Sequence, residues 1–191
     1  MEAKPGITFV TGGARSGKSA YAVELGKRSS GPVVYLATAE PIDDEMRAKI
    51  ARHQAERPAE WRTVEEPLEL ARRVEGVKPG STVIVDCMTV WLGNVLEHHA
   101  PKATMQAANA YALSEVERLV SVAGDRSLSL IVISNEVGSG IVPADAPTRA
   151  YRDLLGEVNQ RLAAMAGSVV LLVSGIPVDL RSISLEREAN G

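Results

Sequence analysis

One stretch limits what this chain can fold into more than any other. The apolar run Ile7–Thr11 leads into Gly12-Gly13-Ala14-Arg15-Ser16-Gly17-Lys18-Ser19, and a helical pattern, Ser19–Arg28, follows. G-x-x-x-x-G-K-S between a strand and a helix is the setting of a phosphate-binding loop. Glycines let the backbone curl until successive N–H groups point inward at an anion. The helix that follows adds the partial positive charge of its first turn. Lys18 then supplies a point charge to the β- and γ-phosphates, and the Ser19 hydroxyl is a ligand for Mg²⁺. The chain is therefore expected to bind a nucleoside triphosphate.

Such a loop needs an acidic partner for the metal. Thr82-Val83-Ile84-Val85-Asp86 is an apolar run closed by a carboxylate, as in a Walker B strand. At the carboxyl end of a strand, Asp86 would face the phosphates and hold Mg²⁺ together with Ser19; the competing reading is a solvated loop acid.

The rest of the chain alternates short β-branched runs with longer helical patterns. The runs are Ile7–Thr11, Pro32–Thr38, Thr82–Asp86, Leu128–Ser134 and Ser168–Ser174. Each is nearly continuously apolar, which suits parallel strands covered on both faces. Between them, Ser19–Arg28, Asp43–Glu56, Leu68–Val74, Met105–Val122 and Thr148–Met165 carry apolar residues at helical spacing. The alternation predicts an α/β fold with a mostly parallel sheet flanked by helices, of the P-loop NTPase type. Ligands in such sheets bind at the carboxyl ends of the strands. Pro58–Pro67 and Pro143–Pro147 read as loops. The 191 residues fit one catalytic domain, 1–191, with 181–191 as a loose or partner-contacting tail.

Composition removes other classes. A single cysteine, Cys87, cannot make an internal disulfide, and three histidines leave little for a transition-metal centre. The formal charge of −3 speaks against a nucleic-acid binder. No run reaches the ~18–20 apolar residues of a membrane helix, and the N-terminus lacks a signal-peptide pattern. A reduced, cytoplasmic protein is expected. The N-K-x-D signature of guanine-specific switch proteins is absent, and Asp153-Leu154-Leu155-Gly156 lies in a helical pattern rather than after a strand.

The helical pattern Asp43–Glu56 places Met46, Ile50 and His53 on one face. His53 is either a half-buried end to an apolar stripe or a side chain facing the nucleotide. In the second case Arg52 and Arg57 flank it as phosphate contacts, and a neutral imidazole is a competent nucleophile at phosphorus.

The loop Thr11–Ser19 resembles that of the bifunctional adenosylcobinamide kinase/adenosylcobinamide-phosphate guanylyltransferase family. The similarity continues through Tyr35-Leu36-Ala37-Thr38-Ala39, Asp44-Glu45-Met46, Ile50 with His53, Arg57, Trp61-Arg62-Thr63 and Glu65. It resumes at Asp86-Cys87-Met88-Thr89, Trp91 and Asn94, then at Ser134–Pro143, Val158–Arg161 and Ser174–Pro177. These blocks span nearly the whole chain in order.

The resemblance implies a two-step enzyme of cobalamin assembly. A nucleoside triphosphate, ATP or GTP, phosphorylates adenosylcobinamide. GTP then guanylylates a histidine with loss of pyrophosphate, and the GMP passes to adenosylcobinamide phosphate, giving adenosylcobinamide-GDP. The family histidine falls on His53, with Lys18 as the other catalytic residue. Nucleotide contacts fall on Gly12, Gly13, Ala14, Arg15, Ser16, Gly17, Lys18, Ser19, Thr38, Ala39, Glu40, Gln54, Ala55, Glu56, Arg57, Glu65 and Asp86. The family adds a recombinase-like core, antiparallel edge strands and a homotrimer. The glycine-rich stretch Asn135–Gly140 is assigned to the corrinoid side or the catalytic surround. Trp61 reads as core or interface, Cys87 as buried rather than reactive, and His98 and His99 as a helix end. Two rivals remain at this point: a P-loop small-molecule kinase with no histidine chemistry, and a non-catalytic recombinase-like nucleotide-binding module.

Overall fold

The strands sort their side chains into two layers by simple alternation. In β2 (Val33–Ala37), Val34 and Leu36 enter one apolar cluster while Val33, Tyr35 and Ala37 enter another. In β4 (Thr82–Asp86), Val83 and Val85 go one way and Ile84 the other. That period of two is inherent to a strand. Because both faces are apolar, helices must cover both, as the near-continuous hydrophobic runs foretold.

The computed structural model describes residues 4–40, 44–55, 57–99 and 104–185, with the backbone alone at 4, 5, 45, 46, 49 and 53. In chain order, β1 (Lys4–Gly12) is followed by α1 (Lys18–Lys27), β2, α2 (Asp44–Ala55), β3 (Arg62–Glu65) and α3 (Leu70–Glu75). Then come β4, α4 (Met88–His99), α5 (Met105–Asp125), β5 (Ser129–Ile133), α6 (Ala146–Met165), β6 (Ala166–Val173) and β7 (Ile176–Asp179). The strands form one sheet in the order β3-β2-β4-β5-β1-β6-β7. Every pairing is parallel except the last, β6 with β7. The mostly parallel sheet and the antiparallel edge are as expected.

The larger cluster is closed by α3, α4, α5 and α6, through residues such as Leu70, Trp91, Leu119 and Leu155, all fully buried. α1 contributes Ala22 and Val23 to the smaller one. Capping fixes where the long helices begin. The Thr104 side chain accepts from the Ala107 amide to start α5, and Asp145 accepts from Thr148 to start α6, with a proline in its first turn.

Three elements leave no pattern of their own in the sequence. The Pro58–Pro67 stretch holds β3, whose four residues bury only Val64, so it carries no apolar run to read. β7 is an exposed edge strand containing Pro177, a residue tolerated only at such edges. α4 begins two residues after β4, leaving no loop to mark its start; His98 and His99 do occupy its last turn. Beyond β7, Arg181 donates to the Ala163 and Ala166 carbonyls at 2.7 and 2.5 Å, tying this segment to the end of α6. Residues 186–191 of the expected tail lie outside the described residues.

Candidate functional site

The phosphate loop leaves β1 at Gly12 and enters α1 at Gly17, the N-cap residue. Gly12 has φ +145°, and a Cβ there would stand 2.4 Å from the Leu172 carbonyl oxygen of β6. Gly17 has φ +98°, the left-handed region that favours glycine, and offers no capping side chain. The first-turn amides of α1 are thus left for an anion. Two backbone bonds hold the loop: Glu136 N–H donates to the Gly12 carbonyl at 3.0 Å, and Gly175 N–H to the Ser16 carbonyl at 2.9 Å. The exits of β5 and β6 therefore brace it.

Lys18 is buried, 7% exposed. Its ammonium donates to the Gly12 carbonyl at 2.9 Å, the Gly13 carbonyl at 2.5 Å and the Ser16 hydroxyl at 3.3 Å. Burial lowers its pKa, an effect the Asp86 carboxylate opposes. The side chain folds over the loop that it serves.

Asp86 ends β4 on the face covered by α1. The Ser19 hydroxyl donates to Asp86 Oδ2 at 3.1 Å. The Tyr35 hydroxyl donates to the same oxygen. Register explains this second bond: Ala37 of β2 pairs with Asp86, so Tyr35 sits diagonally across on the same face. Burial first, then the Asp86 charge and hydrogen bond, push the Tyr35 phenol well above its ordinary pKa, so it stays a donor. Sequence reasoning gave Tyr35 no role of its own. A tyrosine two positions before the end of a buried strand, beside a Walker B strand, is the signal that could have found it.

Thr38, fully buried, donates from its hydroxyl to the Asp86 and Cys87 carbonyls and accepts from Cys87 N–H at 2.9 Å. It braces the end of β4, leaving Ala39 half-buried and Glu40 exposed beyond it. Asn94 of α4 donates to the Thr38 carbonyl at 2.8 Å and the Pro67 carbonyl at 3.3 Å, linking the ends of β2 and β3. Glu65, exposed at the end of β3, pairs in register with Ala37. The carboxyl ends of β3, β2 and β4 thus line up Glu65, Ala37 and Asp86.

Past α2, the Arg57 guanidinium lies 3.5 Å from the Tyr35 ring centroid and donates to the Thr63 hydroxyl at 3.2 Å. Its Nε is buried without a hydrogen-bond partner. Arg52, Gln54 and Ala55 are exposed on α2. His53 is in the last turn of that helix, but its side chain lies outside the described residues, as does Glu56.

The loop after β5 is built on α4 and α6. Asn135 N–H donates to the Thr89 hydroxyl at 3.0 Å, the Asn159 amide to the Asn135 carbonyl at 3.0 Å, and the Tyr151 hydroxyl to the Thr89 carbonyl at 2.8 Å. The Glu136 carboxylate accepts from the Gly138 and Ser139 amides, and Ile141 beyond is 97% exposed. Trp61 packs on α1, and burial pushes the Cys87 thiol up, so it stays protonated. A cavity of about 520 Å³, lined by Trp61, Val33 and Lys78 among others, opens at the amino ends of the strands and shares no residue with this site.

The arrangement concentrates phosphate-binding amides, one buried ammonium and two hard oxygen donors within a few residues. That is equipment for moving a phosphorus group from a triphosphate. The sequence model of a family described as cobinamide kinase / cobinamide phosphate guanyltransferase matches residues 8–180. The bifunctional adenosylcobalamin biosynthesis protein CobU of Escherichia coli strain K12 is 40% identical over 185 residues, 92% of this chain and 99% of that protein. The bifunctional adenosylcobalamin biosynthesis protein CobP of Pseudomonas aeruginosa is 39% identical over 174 residues, 91% of this chain and 96% of its own length. A bifunctional CobU of Salmonella typhimurium is 39% identical over 181 residues, covering 92% and 99%. Among solved structures, a prototypical ATPase from the type III secretion system of pathogenic bacteria superposes with a TM-score of 0.53 at 10% identity, over 95% of this chain and 59% of that one. That likeness concerns the fold alone.

Proposed function

The chain belongs to the cobinamide kinase / cobinamide phosphate guanyltransferase family, and from that premise we propose how its residues divide the work of two transfers. The enzyme phosphorylates adenosylcobinamide from a nucleoside triphosphate, then guanylylates the phosphate so made. The observation that carries this reading is the match across residues 8–180 on a chain whose loop, lysine and Walker B aspartate already stand together.

The loop Gly12–Ser19 holds the phosphates through its amides, with Arg15 on its rim. Lys18 exchanges the Gly12 and Gly13 carbonyls for phosphate oxygens and neutralises charge as it develops. Ser19 and Asp86 are hard oxygen donors already 3.1 Å apart, a set that suits Mg²⁺, which takes few protein ligands and leaves room for phosphates. When bound, Mg²⁺ supplies charge neutralisation on the phosphate chain and the departing pyrophosphate. Thr38, Ala39, Glu40 and Glu65, at the ends of β2 and β3, surround the nucleoside. Gln54 and Ala55 at the end of α2, and Arg57 just past it, approach it from the other side, and the resemblance adds Glu56 as a further nucleotide contact.

In the kinase step the acceptor hydroxyl attacks the γ-phosphorus, the bond to the β-phosphate oxygen breaks, and the hydroxyl proton leaves. In the second reaction a His53 nitrogen attacks the α-phosphorus of GTP and pyrophosphate departs. The resulting phosphoramidate is labile enough to hand GMP onward. An oxygen of adenosylcobinamide phosphate then attacks the same phosphorus, the P–N bond breaks, and the histidine is restored. The loop Asn135–Gly140, braced against Gly12, is read as the corrinoid side.

The whole chain is read as one catalytic domain of a cytoplasmic enzyme; among the described residues no helix is long and apolar enough to cross a membrane. No nucleic-acid partner is assigned, given the net charge of −3. A homotrimer is the proposed assembly; exposed apolar side chains on the β6–β7 edge, Val173 and Ile176, are consistent with a partner there. Light scattering should give three times the 20.3 kDa chain.

The decisive test uses GTP labelled at the α-phosphate, with Mg²⁺ and no corrinoid, quenched without acid. Wild type should retain acid-labile label and His53→Ala none. Absence of label in wild type would leave the kinase step alone.

A further inference from the structure

Tyr35 occupies a place where packing alone asks for no hydroxyl. It is 1% exposed at the centre of β2, and the other buried members of its cluster, Val10, Val33, Ile84 and Ile131 among them, are aliphatic. A phenylalanine would fill the same volume. A buried phenol must instead find a partner or bear the cost of an unpaired polar group. Its partner is the carboxylate that closes β4, at the oxygen that also accepts from Ser19. Meanwhile the face of the same ring carries the Arg57 guanidinium at 3.5 Å, within the range of a cation–π contact. That guanidinium keeps its Nε unpaired although buried.

We propose that Tyr35 is a positioning residue joining the two halves of the site, its hydroxyl aiming Asp86 at the metal and its ring seating Arg57 against the nucleotide. Two hydroxyls on one carboxylate oxygen, one from α1 and one from β2, restrict how the carboxylate can turn. The ring gives Arg57 a fixed platform despite its place outside any helix or strand. One side chain thus couples the chain just past α2, the helix that bears His53, to the floor of the phosphate site. The two functions are separable: the hydroxyl serves the metal end and the π-face serves the nucleotide end.

This rests on reading Asp86 as a metal holder and Arg57 as a nucleotide contact, and the experiment keeps the three claims apart. Mn²⁺ binding is followed by electron paramagnetic resonance in the presence of the α,β-methylene analogue of GTP, which cannot guanylylate the enzyme. Analogue affinity is measured separately in metal-free buffer. Tyr35→Phe keeps the ring and should weaken Mn²⁺ binding about tenfold, the worth of one hydrogen bond to a charged acceptor. Metal-free analogue affinity should stay within about twofold of wild type, since Arg57 keeps its platform. Pentafluorophenylalanine at position 35 has the shape of phenylalanine with the ring quadrupole reversed. Relative to Tyr35→Phe it should weaken metal-free analogue binding about two- to fivefold. A merely structural tyrosine would lower thermal stability and leave both binding curves in place, which overturns the proposal. If wild type binds no Mn²⁺ with the analogue, the metal reading of Asp86 fails instead. If Arg57→Ala binds the metal-free analogue as wild type does, the nucleotide reading of Arg57 fails.

Discussion

The Lys18 ammonium stands 2.5 Å from the Gly13 carbonyl oxygen, spent on the loop whose phosphate it is there to receive. The lysine is therefore held inside the site before any ligand arrives, and binding exchanges one set of oxygens for another rather than recruiting a free side chain. Preorganisation of this kind stabilises developing charge without a cost of rearrangement at the moment of reaction. Lys18→Met keeps the length of the stem and removes the charge. It should lower both phosphoryl and guanylyl transfer by at least about a hundredfold. Far-UV circular dichroism should be unchanged, because the aliphatic stem still packs on the loop. Retention of either activity near wild-type rate would contradict the shared role of Lys18.

Asp86→Asn tests the other side of the same site. The amide oxygen can still accept from Ser19 and Tyr35, so the local geometry survives while the charge does not. The Mg²⁺ concentration for half-maximal transfer should rise by about tenfold or more, since a hard dication depends on charged oxygen ligands. Metal-free nucleotide binding should hold or improve slightly, because a negative charge beside the phosphates has gone. An unchanged Mg²⁺ titration would remove Asp86 from the metal site.

Two helix glycines should respond to alanine with opposite signs. Intrinsic propensity favours alanine by about 1 kcal/mol in either helix. At Gly26 in α1, however, the new Cβ would lie 2.5 Å from Trp61 Cη2 and 2.9 Å from Ile84 Cδ1. Overpacking of this degree costs about 1–3 kcal/mol and outweighs the propensity gain. At Gly156 in α6 nothing stands within 4 Å of the added methyl. Gly26→Ala should therefore destabilise by up to about 2 kcal/mol, and Gly156→Ala should stabilise by about 0.5–1 kcal/mol. Urea unfolding of both variants decides it, and a stabilised Gly26→Ala would mean that Trp61 moves aside freely.

How much of this was legible in the sequence follows from where the information sits. The phosphate loop and Asp86 are local patterns, a spacing and a strand terminus, and both stand where the spacing placed them. β4 runs over Thr82–Asp86 as read, because a buried central strand writes its bounds as an apolar run. β3 and β7 escaped because edge strands bury too little to leave such a run. The resemblance puts Thr38 at the nucleotide; that its hydroxyl also braces the backbone around Asp86 is a long-range contact that no local pattern encodes. Tyr35 depends on the β2–β4 register in the same way. Spacing put His53 on one face with Met46 and Ile50, but the covalent role comes from the family resemblance and awaits the label experiment.

Glu115 makes stability depend on pH. Its side chain, 4% exposed on α5, accepts from the Ala71 amide at 2.8 Å and so satisfies a first-turn N–H of α3. Burial raises its pKa; the Ala71 bond and Arg118, 3.9 Å away, pull it down, while Glu69 and Glu66 push it up. A carboxyl whose folded pKa lies above its unfolded value binds its proton more tightly when folded. Its stabilising contribution is thus complete below the ordinary glutamate range and is lost as pH rises through the folded value. Glu115→Gln keeps an acceptor for Ala71 and removes the buried charge. Its stability at pH 8 should match or exceed wild type by up to about 1 kcal/mol, and the fall between mildly acidic and neutral pH should flatten. Glu115→Ala should instead lose about 1–3 kcal/mol at every pH, because the Ala71 amide is left buried and unpaired. Chemical denaturation of the three proteins at pH 5 and pH 8 separates these outcomes. A Gln variant with the pH slope of wild type would assign that slope to other groups.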